Sequence, residues 1–471
     1  MVTLLILAAV VLLLCVFSSK LLYRFGIPAL LIFLVLGMLF GSDGLAGIHF
    51  DNYSLVETIS AFCLIFIMFY GGFGTNWKTA KHVIAPSIWL ATAGVVITAV
   101  LVGWFSWIVL KTTLLEGMLI GAVVASTDAA SVFSILRSRK LNLKGGLASM
   151  LEVESGSNDP IAYMLTIAVL TMMSVGGENA IVPMVVMQLV FGLGLGFLLA
   201  FLSSFILKRI NFEIEGLYTI YVVAVVILGY ALCQLIGGNG YLCVYIMGIV
   251  LGNTKIKHKR TLVHFFDGIS WIMQMILFFM LGLLSFPSQI PAILIPAVLI
   301  SLFLIFVARP AAVFGILSWF KFPTKEKLFV SWVGMRGAAS IVFAIFAITF
   351  GVGINNDIFH IVFFVALFSV ALQGTLTPLL AKKLKLVEKN NSVFKTFTDY
   401  QDEAEMRLIE VSIDARNPWN GKTLNEADIP EGVLVVMVKR KRRNIVPNGS
   451  TVLKTGDILV LSGENFDEIP L

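Results

Sequence analysis

The chain has 471 residues, of which 58% are hydrophobic and 13% are charged, and its formal net charge is +6. A soluble domain carries about 45–50% apolar and about 25% charged residues, so this composition excludes an ordinary soluble enzyme and a disordered chain. The basic balance would suit a nucleic-acid-binding protein, but the apolar content and the placement of the basic residues favour a membrane protein with no nucleic-acid partner.

Thirteen apolar segments are candidates for membrane-spanning helices, each of which needs about 20 mostly apolar residues. They cover residues 2–19, 27–41, 54–73, 83–108, 114–136, 147–174, 181–207, 216–236, 239–253, 261–285, 289–317, 326–350 and 358–381. The first segment follows no basic stretch and precedes no small-residue cleavage site, so we expect it to remain as a span rather than act as a signal peptide. The pattern predicts an all-α polytopic membrane protein.

The basic residues of the loops indicate the orientation. With the N-terminus outside, seventeen loop lysines and arginines before residue 380 fall on the inner side, and only Lys111 falls on the outer side. Such a bias is typical of membrane proteins, whose cytoplasmic loops carry the excess of positive charge. The sequence therefore predicts a multi-pass protein of the cell (inner) membrane, surrounded by lipid, with its N-terminus outside and its C-terminal region in the cytoplasm.

Composition changes after the last apolar segment, where fourteen of the 28 acidic residues are found. We predict a transmembrane domain over residues 1–384, a polar linker over 385–404 and a cytoplasmic domain over 405–471. Within the last of these, β-branched apolar runs predict strands at 408–413, 432–438 and 457–461, separated by Pro, Asn and Gly turn signals. A small α+β domain fits this pattern.

Several polar and ionisable residues lie inside predicted spans. An ionisable side chain is costly in a bilayer unless it is paired or hydrated, so each of them is a candidate for function. They are Asp128 with its neighbours Ser126, Thr127 and Ser131 in the fifth span, Glu154, Ser155, Asn158 and Asp159 in the sixth, Arg309 in the eleventh and Arg336 in the twelfth.

The sixth span offers oxygen ligands on one side of a helix. Ser155 and Asp159 are four residues apart, as are Glu154 and Asn158, so each pair shares a helix face. Carboxylates, hydroxyls and carbonyls are the ligands that a dehydrated alkali cation requires. Asp159 can hold a cation or a proton but hardly both, and this competition would couple opposite movements of the two. The alternative is that these residues serve only helix packing.

Each of the two intramembrane arginines needs a partner, because arginine is not neutralised in proteins. Glu154 is the natural partner of Arg309, and the pair would join the sixth and eleventh spans. The alternative for Arg309 is that its side chain extends to the cytoplasmic surface. Arg336, among small neighbours, is expected either to neutralise carbonyl ends of broken helices or to steady Asp128.

Other polar residues of the spans are weaker candidates. Glu57, near the outer end of the third span, would guard an entrance or simply be a solvated interfacial acid. Gln274 and Gln373 are expected to form hydrogen bonds between helices. The four cysteines lie in apolar runs without a CxxC pair, so neither a zinc site nor a disulfide is predicted, and no cofactor is expected in the transmembrane domain.

Five segments together resemble the monovalent cation:proton antiporter family, which includes bacterial sodium/proton and potassium/proton exchangers. The likeness runs along residues 1 to about 385. The segments are Ser126-Thr127-Asp128, Glu154-Ser155-Gly156-Ser157-Asn158-Asp159-Pro160, Ala308-Arg309-Pro310, Gly334-Met335-Arg336-Gly337-Ala338 and Gln373-Gly374-Thr375-Leu376-Thr377-Pro378. The resemblance implies about thirteen spans in inverted repeats, with the fifth and twelfth spans as broken helices that cross near the midplane, and a homodimer.

The resemblance also implies roles for individual residues. Asp159 would be the carboxylate shared by cation and proton, and Asp128, Ser155 and the backbone oxygen of Thr127 would complete the cation shell. Asn158 would steady the broken helices, and in this family an Asn before the Asp goes with electroneutral exchange of one proton per cation. One departure is Tyr70, because several relatives have an acid in the corresponding segment of the third span.

The tail, from Leu408 to about Gly463, looks like the C-terminal subdomain of regulator-of-potassium-conductance domains. The likeness rests on residues 429–436, 446–449 and 455–457. Such modules dimerise, and some bind a cyclic dinucleotide or another nucleotide, which would regulate transport. The alternative is a dimerisation module without a ligand. The basic residues 439–443 would meet an anionic ligand or lipid, or form a solvated hairpin tip.

The leading hypothesis is a secondary antiporter that exchanges K⁺ for H⁺ by alternating access and is not an enzyme. The preference for K⁺ rests on the tail. One alternative is a Na⁺/H⁺ antiporter of the same mechanism. Another is a gated potassium channel, which would need a carbonyl-lined filter of the TVGYG type that the sequence lacks. A third is an intramembrane aspartyl protease using Asp128 and Asp159, but the Tyr-Asp and Gly-x-Gly-Asp segments of that chemistry are missing.

Overall fold

The computed structural model describes two compact units, Met1–Phe397 and Thr398–Leu471. The residues that it describes are 2–23, 29–138, 141, 143–174, 181–388, 407–415, 417–430, 432–440 and 443–463. Most of the predicted linker lies outside these residues, so its boundaries stay a prediction.

The first unit is built of helices, and every predicted span overlaps at least one of them. In chain order the helices are α1 (Val2–Tyr23), α2 (Ala29–Phe40), α3 (Tyr53–Gly74), α4 (Trp77–Ala80), α5 (Ile84–Trp89), α6 (Val95–Leu110), α7 (Leu114–Val123), α8 (Ala129–Ser138), α9 (Leu147–Met173), α10 (Ile181–Arg209), α11 (Gly216–Leu235), α12 (Gly240–Asn253), α13 (Lys259–Leu283), α14 (Ile290–Phe303), α15 (Arg309–Trp319), α16 (Thr324–Trp332), α17 (Ala338–Thr349) and α18 (Ile358–Lys383). Wider π-type turns continue α5 into α6 at Leu90–Gly94 and α14 into α15 at Leu304–Ala308. Within the described residues, seven helices are long and apolar enough to cross a membrane and five more are apolar but shorter, so the count of thirteen spans stays a prediction.

Two of the predicted spans are interrupted, as the family resemblance implied. The fifth is split into α7 and α8 by residues 124–128, and the twelfth is split into α16 and α17 by residues 333–337. The first break contains Ser126, Thr127 and Asp128, whose side chains compete for backbone hydrogen bonds and favour non-helical backbone. The second contains Gly334 and Gly337, which weaken a helix because of their backbone freedom.

Close contacts between helices rest on glycines. A Cβ atom at Gly121 of α7 would lie 2.0 Å from the carbonyl oxygen of Ala99 on α6, and one at Gly248 of α12 would lie 2.3 Å from that of Phe69 on α3. Lipid is as apolar as leucine, so helices associate in a membrane through such tight packing rather than through the hydrophobic effect. These contacts hold α7 and α12 close to their neighbours.

The second unit contains a four-stranded antiparallel sheet in the order β1-β4-β2-β3. Its strands are β1 (Arg407–Ser412), β2 (Leu434–Arg440), β3 (Arg443–Ile445) and β4 (Asp457–Gly463). Val411, Trp419, Val438 and Leu459 contribute to its core. The described residues of this unit form strands and turns but no helix, so the α part of the predicted α+β domain is not found among them.

Two of the basic residues at the end of β2 form ion pairs within the second unit. Arg440 donates to both carboxylate oxygens of Asp457, at 2.7 and 2.6 Å, and Lys439 pairs with Glu410. The hydrogen bond from Arg440 lowers the pKa of the Asp457 carboxyl below its ordinary value. Lys441 and Arg442 lie outside the described residues, and the expectation that residues 439–443 meet an anionic ligand or lipid stays a prediction.

Candidate functional site

The two broken spans cross at their non-helical segments. The backbone N–H of Asp128 donates to the carbonyl oxygen of Met335 at 2.8 Å, which joins the breaks directly. Nη1 of Arg336 donates to the carbonyl oxygens of Ala125 and Ser126, both at 2.7 Å. The Arg336 side chain is fully buried. These two carbonyl oxygens, in the break that follows α7, therefore lie against its charge in place of water.

This contact has an electrostatic reason. Carbonyl groups of non-helical backbone have no partner within a helix, and their oxygens carry partial negative charge. Nη1 of Arg336 satisfies two such acceptors in the break that follows α7, and their partial charges favour the buried cation. Of the two positions that the sequence left open for Arg336, the structure shows the one at the carbonyl end of a broken helix.

A chain of hydrogen bonds ties the second break to α18. The backbone N–H of Arg336 donates to the Ser369 hydroxyl at 3.0 Å, that hydroxyl bonds Gln373, and Nε2 of Gln373 donates to the carbonyl of Trp332 at 2.6 Å. The expected interhelical role of Gln373 is confirmed. That of Gln274 is wrong, because its amide bonds Ser270, one turn back on its own helix.

The helix α9 contacts the first break through three side chains. The Ser126 hydroxyl donates to Oδ1 of Asp159, and the Ser155 hydroxyl donates to the carbonyl oxygen of Thr127 at 2.6 Å. Nδ2 of Asn158 donates to the Thr127 hydroxyl. The structure therefore brings Asp159, Ser155 and Asn158 together with Ser126 and Thr127, which the sequence analysis had selected from two separate spans.

Asp128 lies at the start of α8. Its carboxylate accepts from the Ser131 hydroxyl at 2.6 Å and from the Ser131 backbone N–H at 3.3 Å, as a helix cap does. A Cβ atom at Gly337 would lie 2.4 Å from Oδ2 of Asp128, so the second break approaches this carboxylate as closely as a glycine permits. Asp128 thus lies at the crossing, within the group that the sequence predicted.

The predicted pair between the sixth and eleventh spans is present. Nη1 of Arg309 lies 2.8 Å from Oε1 of Glu154, and Nη2 donates to Oε2 at 2.9 Å. Both side chains are at most 3% exposed, so the alternative in which Arg309 extends to the cytoplasmic surface is excluded. A Cβ atom at Gly334 would lie 2.6 Å from Nε of Arg309, which places the pair beside the second break as well.

Tyr70, which stands where several relatives have an acid, hydrogen-bonds to an acid from another helix. Its hydroxyl donates to Oδ1 of Asp267 on α13 at 2.7 Å. Asp267 does not stand out in the sequence because no motif surrounds it. A carboxylate thus lies against this part of α3, although α13 supplies it.

The assembled site consists of oxygen donors together with the charges that hold them. Among the described residues, no three His, Cys, Asp or Glu side chains converge in a way that would hold a metal ion. Carboxylate, hydroxyl and carbonyl oxygens of α9 and the first break meet instead, which is the donor chemistry of an alkali cation. The breaks are stabilised by Arg336, so backbone that is not helical is tolerated at this depth.

Comparison with known families assigns both units. The family model described as sodium/hydrogen exchanger, transmembrane, matches residues 6–383, and a TrkA-C domain matches residues 408–465. The chain belongs to the sodium/hydrogen exchanger family. This exchanger is accordingly a multi-pass membrane protein that carries out cation/proton antiport, and its tail is a domain of the TrkA-C type.

Relatives of the exchanger are known in several organisms. It is 35% identical over 465 residues to the K⁺/H⁺ antiporter NhaP2 of Shewanella oneidensis, a match that covers 98% of this chain and 80% of the relative. It is also 35% identical to the K⁺/H⁺ antiporter NhaP of Alkalimonas amylolytica, over 93% of this chain and 77% of that one. The solved structure of the sodium proton antiporter MjNhaP1 from Methanocaldococcus jannaschii at pH 8 is similar, with 25% identity and a TM-score of 0.69 over 80% of this chain and 97% of that one.

Proposed function

We propose that the protein exchanges K⁺ for H⁺ across the cell membrane, one for one, with Asp159 as the shared carboxylate. The observation that carries this proposal is the contact of Asp159 with Ser126 in the first break, beside the Thr127 carbonyl and the Ser155 hydroxyl. A carboxylate among hydroxyl and carbonyl oxygens suits a partly dehydrated alkali cation. The same carboxylate can take up a proton, so one K⁺ is exchanged for one H⁺ and no net charge crosses the membrane.

The exchange depends on competition at Asp159. The ionised carboxylate holds the cation, with Ser155, Thr127 and Asp128 as further ligands, and protonation releases it. Alternating access then requires that the site turn to the other side only when it carries a cation or a proton. Asn158 carries no charge and Asp128 keeps its charge, so Asp159 is the one carboxylate that exchanges a proton for the cation, which makes the exchange electroneutral.

The supporting residues keep this site in shape. Arg336 compensates the carbonyls of the first break, and Glu154 with Arg309 joins α9 to α15. Neither arginine exchanges its charge, so both act as fixed counter-charges. Asp128 caps α8 and adds a negative charge that remains in place through the cycle.

The choice of K⁺ rests on the relatives that match the chain from end to end, tail included. The K⁺/H⁺ antiporter of Shewanella oneidensis covers 98% of this chain, whereas the Na⁺/H⁺ antiporter 1 of Methanocaldococcus jannaschii is 29% identical and covers 72%. Sodium is the second candidate, because the oxygen ligands of the site would accept it too. The mechanism would be the same.

We further propose that the protein lies in the cell membrane as a homodimer, with its N-terminus outside and its TrkA-C domain in the cytoplasm. The excess of basic residues in the inner loops supports this orientation. The TrkA-C domain would regulate exchange, with a cyclic dinucleotide or another nucleotide as the candidate ligand.

The geometry disfavours both a channel and a protease. A potassium filter presents a row of free carbonyl oxygens to the ion, but the carbonyl oxygens of Ala125 and Ser126 accept hydrogen bonds from Arg336. An aspartyl protease aligns two carboxylates on one water molecule. Here Asp159 bonds Ser126 while Asp128 bonds Ser131.

The function is tested by proton flux in proteoliposomes with a preset pH gradient and an internal pH dye. We expect K⁺ to dissipate the gradient, Asp159→Asn to abolish this response, and Asp51→Asn, which alters an exposed acid, to leave it intact. A response to Na⁺ alone would reverse the choice of cation. Proton flux that survives in Asp159→Asn would contradict the mechanism.

A further inference from the structure

A cavity of about 380 Å³ opens between helices of the first unit, away from the crossing of the broken spans. Its lining includes Glu57 of α3, Tyr163 and Ile167 of α9, Tyr230 and Gln234 of α11, and Thr349 of α17. Among the described residues that line the cavity, Glu57 is the only charged one. Hydroxyl and amide groups provide most of its other polar atoms.

The direction of the helices assigns this cavity to one side of the membrane. With the N-terminus outside, α3 runs inward, so Glu57 near its start lies in the outer half. The helices α9, α11 and α17 run outward, and their lining residues lie toward the helix ends. All four helices therefore place the cavity on the outer side of Asp159.

The cavity continues the face of α9 that carries Asp159. Along this helix Glu152, Gly156, Asp159, Tyr163 and Ile167 are each partly exposed, at spacings of three or four residues. Such spacings place all five on one face of a helix. Tyr163 follows Asp159 by one turn, a rise of about 6 Å. One face of α9 thus leads from the inner half, past Asp159, to the outer cavity.

Aromatic side chains pack around Tyr163, the cavity-lining residue that follows Asp159 by one turn of α9. The Tyr163 ring packs against Tyr241 at 5.0 Å and against Phe343 and Phe346 at 5.8 Å between ring centroids. Nε2 of Gln234 is 3.5 Å from the Tyr163 hydroxyl and donates to the Tyr230 hydroxyl at 3.1 Å. The Tyr163 side chain therefore lies among these rings, one helical turn from Asp159, and is oriented by an amide that itself lines the cavity.

We propose that this cavity is the outer access chamber of the transport path, in which Glu57 attracts hydrated monovalent cations and Tyr163 closes the passage to Asp159. The proposal rests on the proposed function for the identity of the ion. A carboxylate in a confined space raises the local concentration of cations and hence their rate of arrival. Glu57 is a positioning residue, since Asp159 remains the exchanging group.

The kinetic test compares the two faces of the membrane. In right-side-out vesicles, Glu57→Gln should raise the KM for external K⁺ at least about threefold, since one charge near the ion is lost. In everted vesicles, the KM for K⁺ at the inner face should not change. Asp51→Asn removes an exposed acid from the same end of α3 and should alter neither value. An equal KM for Glu57→Gln and the unchanged protein at the outer face would overturn the proposal.

A second test does not depend on transport. Ile167→Cys should react with a membrane-impermeant thiol reagent added outside, and Glu152→Cys should react only in everted vesicles. The described native cysteines are buried, so the parent protein provides the background. If Ile167→Cys fails to react from outside, or reacts equally from both sides, the proposed outer chamber is wrong, even if the variant exchanges ions at the normal rate. Sided labelling without any exchange in the parent would instead refute the proposed function.

Discussion

At the scale of single residues, the buried charges of Glu154, Arg309 and Arg336 lie in contacts that compensate them. Glu154 and Arg309 form a two-point pair with almost no solvent exposure, and Arg336 lies against carbonyl oxygens. A buried charge that loses its partner costs more than the pair itself contributes, because the remaining charge stays desolvated. The stability of the site thus depends on each partner being present.

Glu154→Gln should destabilise the protein strongly, by about 3–5 kcal/mol, because Arg309 would stay buried without its counter-charge. The measurement is the temperature at which the purified protein in detergent loses its monodisperse state. Glu152→Gln changes a partly exposed acid two residues away and should have a much smaller effect. An equal decrease of this temperature in Glu154→Gln and Glu152→Gln would show that the Glu154–Arg309 pair does not hold α9 and α15 together.

In the second unit, the Arg440–Asp457 pair predicts a dependence on pH. The pKa of Asp457 is lowered in the folded protein, so its contribution to stability is complete above the ordinary pKa of an unfolded Asp and is lost as the pH falls through the lowered value. Hydrogen exchange in the full chain should show weaker protection of β2 and β4 as the pH falls from about 5 to about 3. Asp457→Asn should be less protected at neutral pH and should lose this dependence. An equal loss of protection at low pH in Asp457→Asn and in the unchanged protein would show that the Arg440–Asp457 pair does not cause the pH dependence.

At the scale of elements, the two breaks are held by groups from other helices. The Arg336 side chain donates to carbonyl oxygens of the first break. Ser155 and Asn158 of α9 bind Thr127 in the same break, and Ser369 of α18 binds the second break. The crossing is therefore tied to both α9 and α18. A movement of this site relative to its surroundings has to carry these helices with it.

Arg336→Lys tests whether the planar guanidinium matters. A lysine keeps the charge but lacks the fork with which one arginine contacts two carbonyls. We expect at least about tenfold slower exchange, from about 1.4 kcal/mol lost at the crossing, in protein that still folds. Arg209→Lys, at an exposed arginine, is the control and should keep its rate. Normal exchange by Arg336→Lys would show that charge alone suffices.

The motifs of the sequence identified the crossing because its chemistry is local. Ser126-Thr127-Asp128 and the glycines around Arg336 indicate weak helix, and an intramembrane Arg309 requires an acid such as Glu154. The Tyr70–Asp267 bond could not be foreseen, since it joins helices far apart in the chain and no motif surrounds Asp267. The three-residue strand β3 was missed for a different reason, because Arg443-Asn444-Ile445 has no alternation of apolar and polar residues.

At the scale of the whole molecule, the candidate transport site and the TrkA-C domain belong to separate units. The oxygen ligands and both buried arginines lie in the first unit, and the TrkA-C domain forms a sheet with its own core. A unit with its own core can respond to a ligand without contributing atoms to the transport site. This separation is the physical basis for proposing regulation by the tail.

Deletion of residues 390–471 should therefore change the regulation of exchange and leave the transport site intact. The truncated protein should retain cation-dependent proton flux in proteoliposomes and its sensitivity to Asp159→Asn. Any response of the full chain to a cyclic dinucleotide should disappear. Complete loss of exchange in a well-folded truncated protein would contradict this division.

One carboxylate, that of Asp159, is proposed to bind either a cation or a proton. Proton release on cation binding tests this competition most directly. Purified protein in a weakly buffered solution with a pH dye would be mixed with K⁺ while K⁺ binding is measured in parallel. At a pH at which the cation-free Asp159 is protonated, we expect about one proton to be released per K⁺ bound, as for competition at a single site, and no release from Asp159→Asn. Binding of K⁺ without proton release, or equal release from the variant, would contradict it.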